Sequence, residues 1–288
     1  MGNIVYIHNQ NQKKDFHELV KESGGFSNWI HFRLVNDDVR IFCGKNNSEI
    51  YQLVISKKYD NWEYRVMDFI SYIDSANING VVEITKDELK NAEEKYVGHS
   101  YNDKSLREYE PSVLVHSAPM KAWKSIQKDK CLKSWNNLHQ AGLINEKNPI
   151  GNLLGDPNEF SDYVMLGSGS TCEVVVSSSD KGEITCDIDT VYQPGVRLYL
   201  DAKKIANDGK LVRDGAHLKV KDQLELEEYL LYAATAENID IDEKNWTPQT
   251  FSEKADKVFE DKKFKAKEQH ITLHLSRGPQ VSGVRSRI

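Results

Sequence analysis

An α+β protein is predicted, on three observations: short stretches of two-residue apolar alternation, separate segments at helical spacing, and a polar break between two such regions. Residues 30–34, 39–43 and 51–55 alternate apolar and polar side chains and are set apart by Asn, Asp and Gly clusters, which predicts an antiparallel sheet. Thr85 followed three positions later by Glu88 forms a capping box, and Leu89, Ala92 and Tyr96 recur at helical spacing, so a helix closes a first domain over residues 1–97. Residues 98–111 are polar and aperiodic, end at Pro111, and read as a linker.

The second domain spans 112–250. It opens with a strand at 112–116 and a helix beginning near Pro119, whose missing N–H suits a first turn, with Met120, Trp123 and Ile126 on one face. Strands are expected at 163–166, 172–176 and 196–200, and a short helix through Ile205 is bounded by Asp201 as its cap and Gly209 as its stop. Residues 251–288 hold nine Lys or Arg against five Asp or Glu, which predicts a solvated helix at 254–267 and a tail, or a basic edge for phosphates. His270 and His274 alternate with Ile271, Leu273 and Leu275 as on a strand, without the third ligand a zinc site needs.

Composition narrows the function. With 38 Lys and Arg against 44 Asp and Glu, the net charge of −6 argues against a globally basic surface built only to grip nucleic acid. The beginning of the chain lacks a charged segment leading into an apolar run, and no stretch reaches the ~18 apolar residues of a membrane span, so a cytoplasmic protein is expected. Cys43, Cys131, Cys172 and Cys186 are too far apart for a Cys-x-x-Cys pair and are expected as buried thiols rather than metal ligands or disulfides.

Three short motifs carry chemistry. Val115-His116-Ser117-Ala118 followed by Trp123-Lys124-Ser125-Ile126-Gln127-Lys128 places a histidine at a strand end before a helix. This arrangement resembles the NAD-binding start of ADP-ribosyltransferases of the diphtheria-toxin type. The resemblance implies a split β-sandwich around an NAD cleft, with NAD⁺ as a substrate and no metal. It gives His116 a ribose hydroxyl and the Ser117 backbone the nicotinamide amide, where the family usually has glycine. An aromatic residue should stack on nicotinamide; Tyr163 is the candidate, with Tyr192 and Tyr199 as substitutes.

Gln223-Leu224-Glu225-Leu226-Glu227 alternates so that Gln223, Glu225 and Glu227 share a face, and it resembles the family's Gln/Glu-x-Glu motif. The resemblance makes Glu225 the carboxylate that stabilises the cationic sugar formed when nicotinamide leaves, with Gln223 beside the bound NAD. A second resemblance, over residues 196–229, is to RNA 2′-phosphotransferases and to toxins that ADP-ribosylate DNA. In that register the toxins' glutamate falls near Ala216 or His217, and the carboxylate stays open between the two positions. The expected acceptor is RNA or DNA, with protein as the alternative, in an intracellular toxin of a toxin–antitoxin or phage-defence system with an antitoxin as a possible partner. An RNA 2′-phosphotransferase-like repair enzyme and an inert NAD-binding module are the other readings. Nothing in residues 1–110 carries a resemblance.

Overall fold

The structure is a computed structural model that describes residues 3–22, 29–37, 42–45, 50–59, 61–146, 148–240 and 243–276. The chain opens with β1 (Ile4–Ile7), α1 (Gln10–Glu22), β2 (Trp29–Val35), β3 (Phe42–Lys45), β4 (Tyr51–Ser56), α2 (Trp62–Ser75), β5 (Asn79–Glu83) and α3 (Lys86–Tyr96). These strands form one sheet in the order β1-β5-β2-β4-β3. Pairing is parallel in β1/β5, β5/β2 and β2/β4, and antiparallel only in β3/β4, which corrects the expected antiparallel sheet. Parallel neighbours need a crossover, and α1 and α2 supply it between β1 and β2 and between β4 and β5.

Both faces of this sheet are covered. Ile7, Phe16, Ile50 and Val81 pack on the α1 side, and Phe32, Leu53 and Ile55 pack against Val66, Phe69 and Ile73 of α2 on the other. All six residues of β4 are buried as a result, the outcome expected of a strand enclosed on two sides. Residues 39–41 of the expected second strand lie outside the described residues. The Thr85 capping box forms as expected: the Glu88 N–H donates to Thr85 Oγ1 and the Thr85 N–H to Glu88 Oε2 at 3.0 Å.

After the polar segment come β6 (Val113–Ala118), α4 (Met120–Asp129), β7 (Cys131–Lys133), α5 (Trp135–Gln140) and 3₁₀ turns at Ile150–Leu154 and Asn158–Asp162. They are followed by β8 (Tyr163–Leu166), α6 (Thr171–Lys181), β9 (Val196–Asp201), α7 (Ala202–Asn207), β10 (Leu211–Arg213) and β11 (Leu218–Lys221). The described chain ends with β12 (Gln223–Glu225), α8 (Leu226–Tyr229), β13 (Leu230–Thr235), α9 (Ala236–Ile239) and α10 (Pro248–Ser276). Strands β13-β9-β6 and β10-β11-β8 form two antiparallel sheets, and β12 pairs with β7. The sheets share a core of Leu114, Ala118, Val164, Leu166, Leu198 and Val220.

Three local expectations change. Residues 172–176 lie in α6, not in a strand, because Val176 buries against Trp246 and Phe251 and this packing outweighs the β preference of three valines. Residues 270–274 are helical within α10, whose Ala255 and Phe259 pack beside Tyr199, with the Phe259 ring stacked on Tyr199 at 4.3 Å. Cys186 is exposed and Cys43 and Cys172 are only part-buried; Cys131 alone of the four is buried, and all are free thiols. The Asp201 cap is present, its carboxylate accepting the Lys204 N–H at 2.9 Å, and Gly209 follows the helix with φ +71°. Among the described residues no helix is long and apolar enough to cross a membrane.

The 98–111 segment is bolted to both halves. Arg107 is buried and its guanidinium holds Asp68 of α2, which also accepts the Tyr96 hydroxyl at 2.7 Å. Arg213, also buried, clasps Glu110 at 2.6 and 2.7 Å. Phe160, Tyr163, Met165, Val212 and Ala216 add to the apolar core of the first sheet, so the halves share buried surface. Beside it, Lys219 lies fully buried over the rings of Tyr72, Phe160 and Tyr163 at 4.0, 4.3 and 4.5 Å and donates to Asp214 at 2.6 Å.

Burial pushes the nearby Asp156 carboxyl up to about 6, overcoming the pull of His217 and Lys219. Its folded value lies above the unfolded one, so the stability it contributes is full below about pH 4 and is lost as pH rises through about 6. Asp156→Asn is therefore expected to remove that part of the pH dependence and to be more stable than the parent at neutral pH by about 2 kcal/mol. Urea midpoints of both chains across this range check it, and parallel curves would contradict it.

Candidate functional site

The two antiparallel sheets of the second half meet through one isolated bridge, Val115 with Gly167, whose N–H and C=O groups exchange two bonds of 2.9 Å. His116 follows that bridge on β6 and turns its ring across the junction, where Nδ1 lies 3.0 Å from the Met165 carbonyl. A carbonyl only accepts, so Nδ1 carries the hydrogen, and Nε2 is left as an acceptor without a protein partner among the described residues. Burial lowers the His116 pKa despite this bond, which keeps the imidazole neutral near pH 7.

Successive side chains of a strand alternate, so Ser117 points away from His116. Its hydroxyl donates to the Glu173 carboxylate of α6. Glu173 is fully buried and also accepts from the Tyr192 hydroxyl at 2.8 Å and from Arg197 Nη1 at 3.3 Å. Arg197, 1% exposed, donates in addition to Asp256 of α10 at 2.9 and 3.1 Å and to the Gly169 carbonyl at 3.0 Å. Burial pushes the Glu173 carboxyl above its ordinary value, against the pull of Ser117, Arg197 and Tyr192. The strand that carries His116 is thus tied to α6, β9 and α10 by charged groups held out of water.

The other sequence candidates lie elsewhere. Tyr163 shares a face of β8 with Met165 and packs into the junction between the halves, its ring 6.1 Å from that of Tyr72. Val164 and Leu166, on the opposite face, join the core that Leu114 and Ala118 of β6 share. Of the two substitutes, Tyr192 reaches Ser117 through Glu173, and Tyr199 donates to Asp256 at 2.7 Å beneath α10. Gln223 and Glu225 share the outer face of β12 opposite the buried Leu224, and Gln223 Nε2 donates to Glu225 at 3.1 Å. The strand ends there: Glu227 belongs to α8 and pairs with Lys130, so the three-residue face expected from the alternation is cut to two.

Lys210 donates to Glu225 at 2.6 Å and holds its carboxyl below the ordinary value. Glu225 shares no bonded partner with His116 among the described residues. The alternative register, Ala216 or His217, falls in the β10–β11 turn beside Asp214. Among the described residues no group of three His, Cys, Asp or Glu side chains is arranged to hold a metal ion.

Glu173 is the site residue that sequence reasoning missed. Its signal was present: Ser170 followed three residues later by Glu173, after Gly167-Ser168-Gly169, has the form of a helix start. The valines 174–176 concealed it. No family model matches the chain, and neither a curated protein nor a solved structure matches it.

Proposed function

We propose that the chain is an NAD-dependent ADP-ribosyltransferase whose acceptor is a nucleic acid. The observation that carries the proposal is His116 at the single bridge between two antiparallel sheets, with Nδ1 anchored and Nε2 open. A neutral imidazole fixed in this way is suited to accept a hydrogen bond from a ribose hydroxyl, the role the family resemblance gives it. In the reaction the bond between nicotinamide and its ribose carbon breaks, nicotinamide leaves with the bonding pair, and a nucleophilic atom of the acceptor bonds to that carbon while its proton passes to solvent. Glu225, part-exposed and ionised, is the carboxylate assigned to the developing cation, and Lys210 is the partner it must give up to serve there.

The resemblance to enzymes acting on RNA and DNA and the lysines of α10 favour a nucleic acid over a protein acceptor. The likeness to DNA-modifying toxins extends the reading to an intracellular toxin of a toxin–antitoxin or phage-defence system, with an antitoxin as its partner. One observation favours a second reading, transfer of an RNA 2′-phosphate onto NAD⁺. Glu225 bonds Lys210 and Gln223 rather than the surroundings of His116, and that chemistry does not call on it.

Incubation with NAD⁺ labelled in its adenylate, in the presence of separate pools of RNA, DNA and protein, tests both. Label is expected in a nucleic-acid pool, with His116→Ala lowering the rate about 100-fold and Glu225→Gln lowering it as well. Label in none of the pools overturns the transferase. Loss of a 2′-phosphate from RNA, undiminished in Glu225→Gln, selects the second reading.

A further inference from the structure

Where β3 of the first half meets the β10–β11 turn of the second, an imidazole and a thiol come together. Asp214 organises the turn: its Oδ1 accepts from the backbone N–H of Ala216 at 3.1 Å and of His217 at 2.7 Å. Both of its oxygens lie 3.2 Å from His217 Nδ1, and Oδ2 accepts from Lys219. The Phe160 ring stands edge-on to the imidazole at 5.3 Å. Held through Nδ1, His217 has Nε2 free to serve a second group, and the part-buried Cys43 thiol faces this imidazole and the Tyr51 hydroxyl. Burial opposes a charged imidazole here, but Asp214 and Cys43 outweigh it and hold His217 well above the ordinary histidine range.

We propose that Cys43 is a nucleophilic thiol, activated by His217 and positioned through Asp214, at a site that takes small carbon electrophiles such as activated carbonyl compounds. Cysteine supplies the attacking pair, histidine takes its proton, and the carboxylate fixes the ring, which is the division of labour a thiol nucleophile requires. The groups around the pair are Tyr51 from β4, Asp156 and Glu159 from the segment before β8, Asp214 and His217 of the turn, and Lys219 from β11. Oε1 of Glu159 is buried without a hydrogen-bond partner among the described residues, a polar atom that this pocket of charge leaves unsatisfied.

The other three cysteines are internal standards. Cys186 is exposed, Cys131 is buried with its thiol donating to the Leu132 carbonyl at 3.2 Å, and burial pushes the Cys172 thiol up to about 12. Iodoacetamide is the probe: the Cys43 sulfur bonds to the methylene carbon, iodide departs with the bonding pair, and the thiol proton passes by way of His217 to solvent. The whole chain is labelled briefly at about pH 6 and about pH 9, and the rates at each cysteine are read by peptide mass spectrometry. At about pH 6, where an ordinary thiol is almost wholly protonated, Cys43 is expected to react at least about 10-fold faster than Cys186, with the advantage shrinking at about pH 9. His217→Gln is expected to bring the Cys43 rate down to that of Cys186.

A Cys43 rate at or below that of Cys186 at about pH 6 in the unsubstituted chain overturns the proposal without any variant. So does an unchanged fast rate in a His217→Gln chain whose circular dichroism and unfolding midpoint match the parent.

Discussion

Replacing Arg197 by methionine is expected to lower the stability of the protein by about 3–5 kcal/mol, the range for removing one partner of a buried ion pair. The guanidinium is 1% exposed and serves Glu173, Asp256, the Tyr199 hydroxyl and the Gly169 carbonyl together. Without it Glu173, itself fully buried, must either ionise beside no cation or stay protonated in a pocket built for a carboxylate. Asp256 loses its hold from β9 as well, so the first turns of α10 should loosen. Urea unfolding followed by circular dichroism reads the change. The double variant Arg197→Met with Glu173→Leu should recover much of the loss, since an apolar pair leaves no charge stranded. A loss below about 1 kcal/mol in the single variant would show that the network carries little of the stability assigned to it.

Gly195→Ala should cost about 3 kcal/mol, at the upper end for overpacking, because the obstacle is main chain rather than a side chain that can rotate away. A Cβ at this position would stand 1.9 Å from the Ala118 carbonyl oxygen, 2.8 Å from its carbon and 2.9 Å from Pro119 Cα. Val196 pairs with Ala118 in the β6/β9 ladder, so relief requires the start of β9 to move off the end of β6, two residues from His116. Faster amide exchange at β6 should accompany the lower midpoint. Wild-type stability and exchange in this variant would mean that the contact relaxes without disturbing the strand.

Local signals proved the readable part of the chain. Thr85 with Glu88, and Asp201 with Gly209, marked helix ends because caps are satisfied within a few residues of themselves. The strands at β6, β8 and β9 were legible from alternation or apolar runs of a few residues. The direction of the first sheet was not: β2 lies parallel between β4 and β5, and the crossovers that make this possible pack through contacts far apart in sequence. The same limit hid α6. Val174–Val176 carry a strand preference in isolation, and only the surface formed by Trp246 and Phe251 draws them into a helix.

For the candidate site the division is similar. The sequence by itself singled out His116 and Ser117 at the end of a strand, because a strand, a proline and an amphipathic helix are all local features. It could not say what those side chains meet. Alternation along β6 sends His116 toward the junction of the sheets and Ser117 toward Glu173, and the identity of each partner depends on strands and helices about 50 residues away along the chain. Tyr163 and Glu225, both sound choices by residue type, are carried instead to the junction with α2 and to the Lys210 pair, because a side chain follows the face and register its strand is given. Residue type and local pattern were thus set by the sequence, while partnership was decided by tertiary packing, since burial and charge pairing are properties of neighbours in space.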